Sequence, residues 1–547
     1  MQFSKVCLYL ILAAILFAPL AKAQDSHQHQ HPHDSSEKLG KVNFTVSCGV
    51  ETQKQFNRAA AMLHSFWYEE AGKAFSEIAA TDRACPMAYW GIAMSAYTPL
   101  WAPPRDADLR KGWEALEKAR AIPAKTERER DYLAAIETFY KDFDKLDHRT
   151  RSLAYEKAME RVYLKHTQDR EAGIFYALSL LGTALPTDKS YANQKKAAEI
   201  LNGILPTEPE HPGVAHYLIH SFDYPPLASL ALPAARSYAK IAPASPHALH
   251  MPSHIFTRLG LWDESIESNI ASATSAKDHV AKTHPGVAAF DQLHAMDYLE
   301  YAYLQGAEDI KAKRVADEVS GMGNVDQETV AAAYAFAAIP ARYAIERRRW
   351  SEAATLTAHP STFPWARFRF AEAITYFARA LGAARSGNPS AARLDVDKLA
   401  AIQAALLEAK ESYWASQVEI QRLGASGWIA KADGRTEEAL KLARAAADLE
   451  SSTEKHPVTP GAIIPARELL GELLLELNQP GPALTEFEKA LGDSPNRFNG
   501  IYGAGRAAEL SGDSSKAKTY YTKLVDLCKG AEFNRAELQK AKAFLAR

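Results

Sequence analysis

Nine of the eighteen histidines in this 547-residue chain fall between His211 and His294. His216 and His220 stand four apart, as do His250 and His254, and the second pair follows the first by 34 residues. On a helix, a spacing of four places both rings on one face. Such a pair can aim two nitrogens at one cation, and neutral imidazole suits Zn, Cu, Fe or Ni. Asp223 follows His220 by three residues, and Asp291, His294 and Asp297 come one repeat later. The candidate ligands for a transition metal (Zn, Cu or Fe) are therefore His216, His220, His250, His254 and His294, followed by Asp223 and Asp297. A metal held by three protein groups would keep a position open to activate water. Residue 217 is Tyr, so the His-Glu-x-x-His of zinc proteases is absent, and no catalytic residue is assigned. The same band would also suit a peptide carboxylate or a phosphate, helped by Arg258, or plain structural hydrogen bonding.

The elements that position these rings are helical. Apolar residues recur at spacings of three and four, and Gly, Pro or Asp interrupts them about every dozen residues. Strand character is confined to Val42–Val46. Ala483 and Ala517 are 34 apart, as are Phe487 and Tyr521, and Pro495 follows where a repeat should end. Small, aromatic, then Pro at that period is the tetratricopeptide (TPR) helix-pair pattern. The expectation is an all-α, right-handed solenoid of roughly a dozen helix pairs with a concave groove. With Gly260 as an inter-helix turn, His247, His250, His254 and Arg258 fall on first-helix positions lining that groove, and His64 does the same in the first pair. An insertion of about ten residues at His456–Gly461 breaks the period, and Pro-rich connectors at Thr98–Pro104 and Tyr224–Pro226 are placed to enter the groove.

Composition sets the remaining limits. With 64 Lys and Arg against 66 Asp and Glu, nothing favours nucleic acid. Lys5, the apolar run Val6–Leu20 and Ala21-Lys22-Ala23 read as a secretory signal peptide cleaved before Gln24. The mature protein is expected in the periplasm or outside the cell, with no stable membrane insertion. The chain divides into a signal peptide (1–23), a disordered His-rich tail (24–40), N-terminal repeats (41–210), central His-rich repeats (211–325) and C-terminal repeats (326–547). His27, His29, His31 and His33 of the tail suit weak metal capture. Cys48 and Cys85 fall at the same end of the first helix hairpin, so a disulfide between them is geometrically sound, and Cys528 is left as a packed thiol. The aromatics Phe66-Trp67-Tyr68, Tyr89-Trp90 and Trp101 are expected to pack the first repeats, and Arg347-Arg348-Arg349 to form a solvated helix end. No phosphate loop, Gly-x-Ser-x-Gly or Cys-x-x-Cys occurs.

Several stretches carry a resemblance: Leu63–Ala71, Cys85–Ser95, His216–Asp223, His250–Gly260, Pro465–Leu475 and Pro495–Phe498. Together they resemble a family of exported bacterial TPR-repeat proteins across nearly the whole mature chain. The resemblance implies a TPR solenoid and an envelope or secreted location, and brings no reaction with it. Three functions stand: a groove binding a ligand, foremost a transition metal at the His/Asp band; a scaffold for a protein or peptide partner; and a metal-dependent hydrolytic or redox enzyme using the same band.

Overall fold

A computed structural model describes residues 38–531 and 535–547. The signal peptide and the four tail histidines lie outside the described residues. The foot of the expected tail does not: Leu39 is buried, and the Lys38 carbonyl accepts the Ala244 N–H at 3.2 Å.

From Val50–His64 to Ala536–Leu545 the described chain is a succession of antiparallel helices, each packed on its neighbours in sequence, in a TPR-like array. Small residues let the helices approach. Phe487 is wedged where an added Cβ at Gly503 would lie 2.3 Å from its ring, and one at Gly471 2.8 Å. Ala483, Ala517 and Tyr521 are equally buried, so the 34-residue period is a packing period. Val42–Val46 is extended but has no partner strand among the described residues. Instead the Phe44 and Val46 N–H groups donate to Asn57 and Gln53 of the first helix, while Gln53 donates to the Phe44 carbonyl. Its alternate side chains, Val42, Phe44 and Val46, fill the core. Cys48 and Cys85 form a disulfide, and Cys528 is a buried thiol.

Two departures from expectation matter for the site. The Arg347–Arg349 run is not a solvated end. Arg348 pairs with Glu472 and Glu537 and so ties the central helices to the C-terminal ones, while Arg347 lies over Tyr343 of the same segment and near Asp309. The groove over the His band is also covered. After Thr436–Ser451 the chain leaves the helix array and crosses the middle of the molecule as a strap. Tyr191 and Lys189 donate to Glu454, Lys455 donates to Asp223, Tyr298 donates to the Thr459 carbonyl, and Arg342 and Tyr334 donate to the Gly461 carbonyl. The insertion read from the broken period is this strap. Trp101 of the Thr98–Pro104 connector enters too, 5.4 Å from the His247 ring. The apolar interior is split at this level. One cluster runs from Leu39 to Phe256 and another from Phe290 to Ala507.

Candidate metal centre

Three helical segments bring the rings together. Pro212–Phe222 carries His216 and His220 on one face. His250 and His254 share a face across a seam, because Pro252 lacks an N–H and divides the expected single helix into Pro246–His250 and Pro252–Leu259. Met251 keeps right-handed helical angles at that seam, so the rings stay one turn apart. His294 comes from Phe290–Gln305.

The rings gather into two trios. The ligand nitrogens of His216, His220 and His247 lie within 4.8 Å of one another, and so do those of His250, His254 and His294. His216 Nε2 is 3.1 Å from His220 Nε2, and His250 Nε2 is 3.0 Å from His254 Nε2. Nitrogens bound tetrahedrally to one Zn would stand about 3.3 Å apart. The five expected rings therefore do not meet at one point, and a sixth, His247, joins them. Ring centroids across the trios are 6.0 Å apart for His220 and His254, 6.1 Å for His247 and His250, and 6.5 Å for His247 and His294.

All six are buried, none more than 7% exposed. Burial holds each imidazole below its ordinary pKa, with His216 pushed down to about 3. They are neutral at pH 7, the form that ligates metals.

Outer partners decide which nitrogen carries each proton. His216 Nδ1 sits 2.7 Å from the His64 carbonyl, which only accepts, so Nδ1 is the donor and Nε2 holds a lone pair. His250 Nδ1 donates to Asn269 Oδ1 at 2.7 Å, and Asn269 is oriented by its own Nδ2, which donates to the Ser265 carbonyl. His254 Nδ1 donates to Asp223 Oδ2 at 3.0 Å, with the Tyr298 hydroxyl at 3.3 Å. That hydroxyl spends its proton on Thr459, so it too faces His254 as an acceptor. His250 and His254 therefore present two Nε2 lone pairs to each other at 3.0 Å. Facing lone pairs repel unless a cation lies between them, and an imidazole oriented by a carboxylate or carbonyl is the usual outer-shell arrangement of a metal ligand.

The two aspartates have other partners. Asp223 is shared by His254, Arg258 and Lys455, the last at 2.8 Å. Burial alone would raise its pKa, but the adjacent Lys455 and Arg258 hold it well below the usual carboxylate range. It orients His254, and Arg258 in turn fixes Asp223 through both its side chain and its carbonyl. Asp297 is ion-paired with the buried Arg342. His64 faces inward but is a hydrogen-bonding group: Glu171 binds its Nε2 at 2.9 Å and Tyr217 its Nδ1 at 3.0 Å, while its carbonyl orients His216. Gly213 is required beside it, since a Cβ there would lie 2.6 Å from His64 Nδ1.

His247 is different. Neither ring nitrogen has a hydrogen-bond partner among the described residues, although the residue is only 3% exposed. A buried polar group left so costs about 1–3 kcal/mol. Phe66 walls the first trio, with its ring 4.3 Å from His216, 5.7 Å from His220 and 5.6 Å from His247. It occupies the left-handed position that ends Val50–His64 (φ 54°), normally a glycine's place.

Sequence reading placed His247 among the groove-lining residues and overlooked Asn269, Tyr298 and Lys455. Asn269 lies 19 residues after His250, on the paired helix Trp262–Thr283, and repeat register could have found it. The strap's contacts have no sequence signal.

A cavity of about 900 Å³ reaches the second trio at His294, lined also by Phe66, Trp101, Phe290, Asp291 and Trp414. Burial lifts the Asp291 carboxyl to about 8.

No family model and no curated protein sequence matches this chain. Solved structures that resemble it include a human IFIT1 dimer with m7Gppp-AAAA, at 12% identity and a TM-score of 0.37, covering 81% of this chain and 90% of that one. Yeast Tom70 matches at 10% identity and a TM-score of 0.34, over 91% and 95% of the two chains. The P58(IPK) TPR domain matches at 14% identity and a TM-score of 0.20, over 69% and 98%. At these values nothing about their ligands carries over.

Proposed function

We propose that this chain is an exported, TPR-like protein that binds a transition metal in its interior, at His250, His254 and His294. The observation that carries this reading is the pair of Nε2 lone pairs facing each other at 3.0 Å, each fixed by a partner on the opposite nitrogen. Imidazole ligands and the absence of a free carboxylate in the trio favour Zn or Cu over Mg, Ca or Mn. The test is elemental analysis of the purified full chain, before and after dialysis against Zn or Cu, beside His250→Ala/His254→Ala. Stoichiometric metal that the double variant loses is the expected result. A wild-type chain that carries no metal and gains none defeats the reading and leaves a helix array suited to a protein or peptide partner.

A further inference from the structure

Resting on that reading, we propose that the six imidazoles form a two-copper centre, with His216, His220 and His247 holding the second ion beside the first. The first trio contains a group that hydrogen bonding does not explain. His247 is buried with both nitrogens unpartnered, while the adjacent His216 turns an Nε2 lone pair toward His220. A cation bound at Nε2 of His216 and at one nitrogen each of His220 and His247 gives His247 a partner at one of its two bare nitrogens, and the ligand atoms already lie within 4.8 Å.

The two trios touch. Centroid separations of 6.0–6.5 Å between rings of opposite trios, no wider than the 6.1 Å between His254 and His294 within one trio by more than a few tenths of an ångström, put the two sets of ligands in contact, so that one small oxygen ligand could lie between two ions. The cavity at His294 gives such a ligand a way in.

Charge selects the metal. The six ligands carry no anion, and the adjacent carboxylate, Asp223, is already shared by Lys455 and Arg258. Two divalent ions would bring four uncompensated charges into a buried site, whereas two Cu(I) ions bring two, and uncompensated buried charge is costly. Imidazole is among the ligands that suit copper.

The experiment loads chelator-stripped full-length protein with Cu(I) under nitrogen, removes excess, admits air, and measures copper per chain and the Cu(II) paramagnetic resonance signal. Two coppers per chain, both oxidised to Cu(II) by the admitted dioxygen as the X-ray absorption edge reads it, with a signal far below the copper content from magnetic coupling across the bridge, is the expected result; copper that stays Cu(I) is silent for want of an unpaired electron and overturns the bridged pair. His247→Ala should retain one copper per chain with a full-intensity signal. A wild-type chain holding one copper, unchanged by His247→Ala, overturns the two-metal centre and leaves the single-site reading standing. Two coppers with a full-intensity signal overturn the bridged pair, and retention of zinc alone from an equimolar mixture overturns the choice of copper. No bound metal of any kind sinks both readings. The wild-type stoichiometry and signal decide the matter even if the variant fails to fold.

Discussion

Substituting His216 by Gln in the metal-free protein should flatten the pH dependence of stability by a calculable amount. Burial pushes the His216 pKa down to about 3, whereas an unfolded chain leaves it at 6.5. The sign follows from proton binding. The unfolded chain takes up a proton as pH falls through 6.5 and the folded one does not, so this residue's contribution is fully present above 6.5 and lost progressively down to about 3. Between about pH 7.5 and about pH 5 the loss is about 2 kcal/mol, at 1.36 kcal/mol per pH unit below 6.5. Gln keeps an amide that can donate to the His64 carbonyl in place of Nδ1. Buried carboxyls such as Asp291, raised to about 8, act in the opposite sense, but they are common to both proteins and cancel in the comparison. The assay is urea unfolding of chelator-treated protein, followed by far-ultraviolet circular dichroism at both pH values. Wild type should lose about 2 kcal/mol more than the variant on acidification. Parallel pH dependences would mean that the ring titrates as it does in water, and the picture of a dry, neutral imidazole cluster would fail.

Asp223→Asn should destabilise the protein by about 3–5 kcal/mol, because it leaves Arg258 and Lys455, each only 10% exposed, facing each other without their shared anion. Thermal unfolding reads this directly, and a cost below about 1 kcal/mol would show that the two cations reach water. Gly503→Ala should cost about 1–3 kcal/mol, since the new methyl would lie 2.3 Å from the Phe487 ring. A gain in the urea midpoint, as helix propensity alone would give, would count against the wedge.

The helix array is legible in the sequence because a TPR-like repeat writes its packing locally. Ala483, Phe487, Ala517 and Tyr521 announce where helices touch, and their burial confirms it. The His pairs are legible for the same reason, since a spacing of four and a repeat of 34 residues fix both the face and the neighbour. What escapes is set at long range. Lys455 reaches Asp223 across 232 residues, and Tyr298 reaches Thr459 across 161, so the break in the period shows where the strap lies but not what it touches. Asp297 looked like a ligand because it sits one turn after His294. Its fate was settled by Arg342, on a helix 45 residues away.

If the second trio holds an ion, it links residues of two neighbouring apolar clusters within one compact helix array. His250 and His254 belong to the body whose apolar cluster ends at Phe256, and His294 to the helix that opens the next cluster at Phe290. An ion gripped by all three would pin the Phe290–Gln305 helix to the helices before it. At a thousandfold excess over its dissociation constant it would hold them together by about 4 kcal/mol. It would leave through the cavity that opens at His294, so the exchange rate would be governed by access along that cavity.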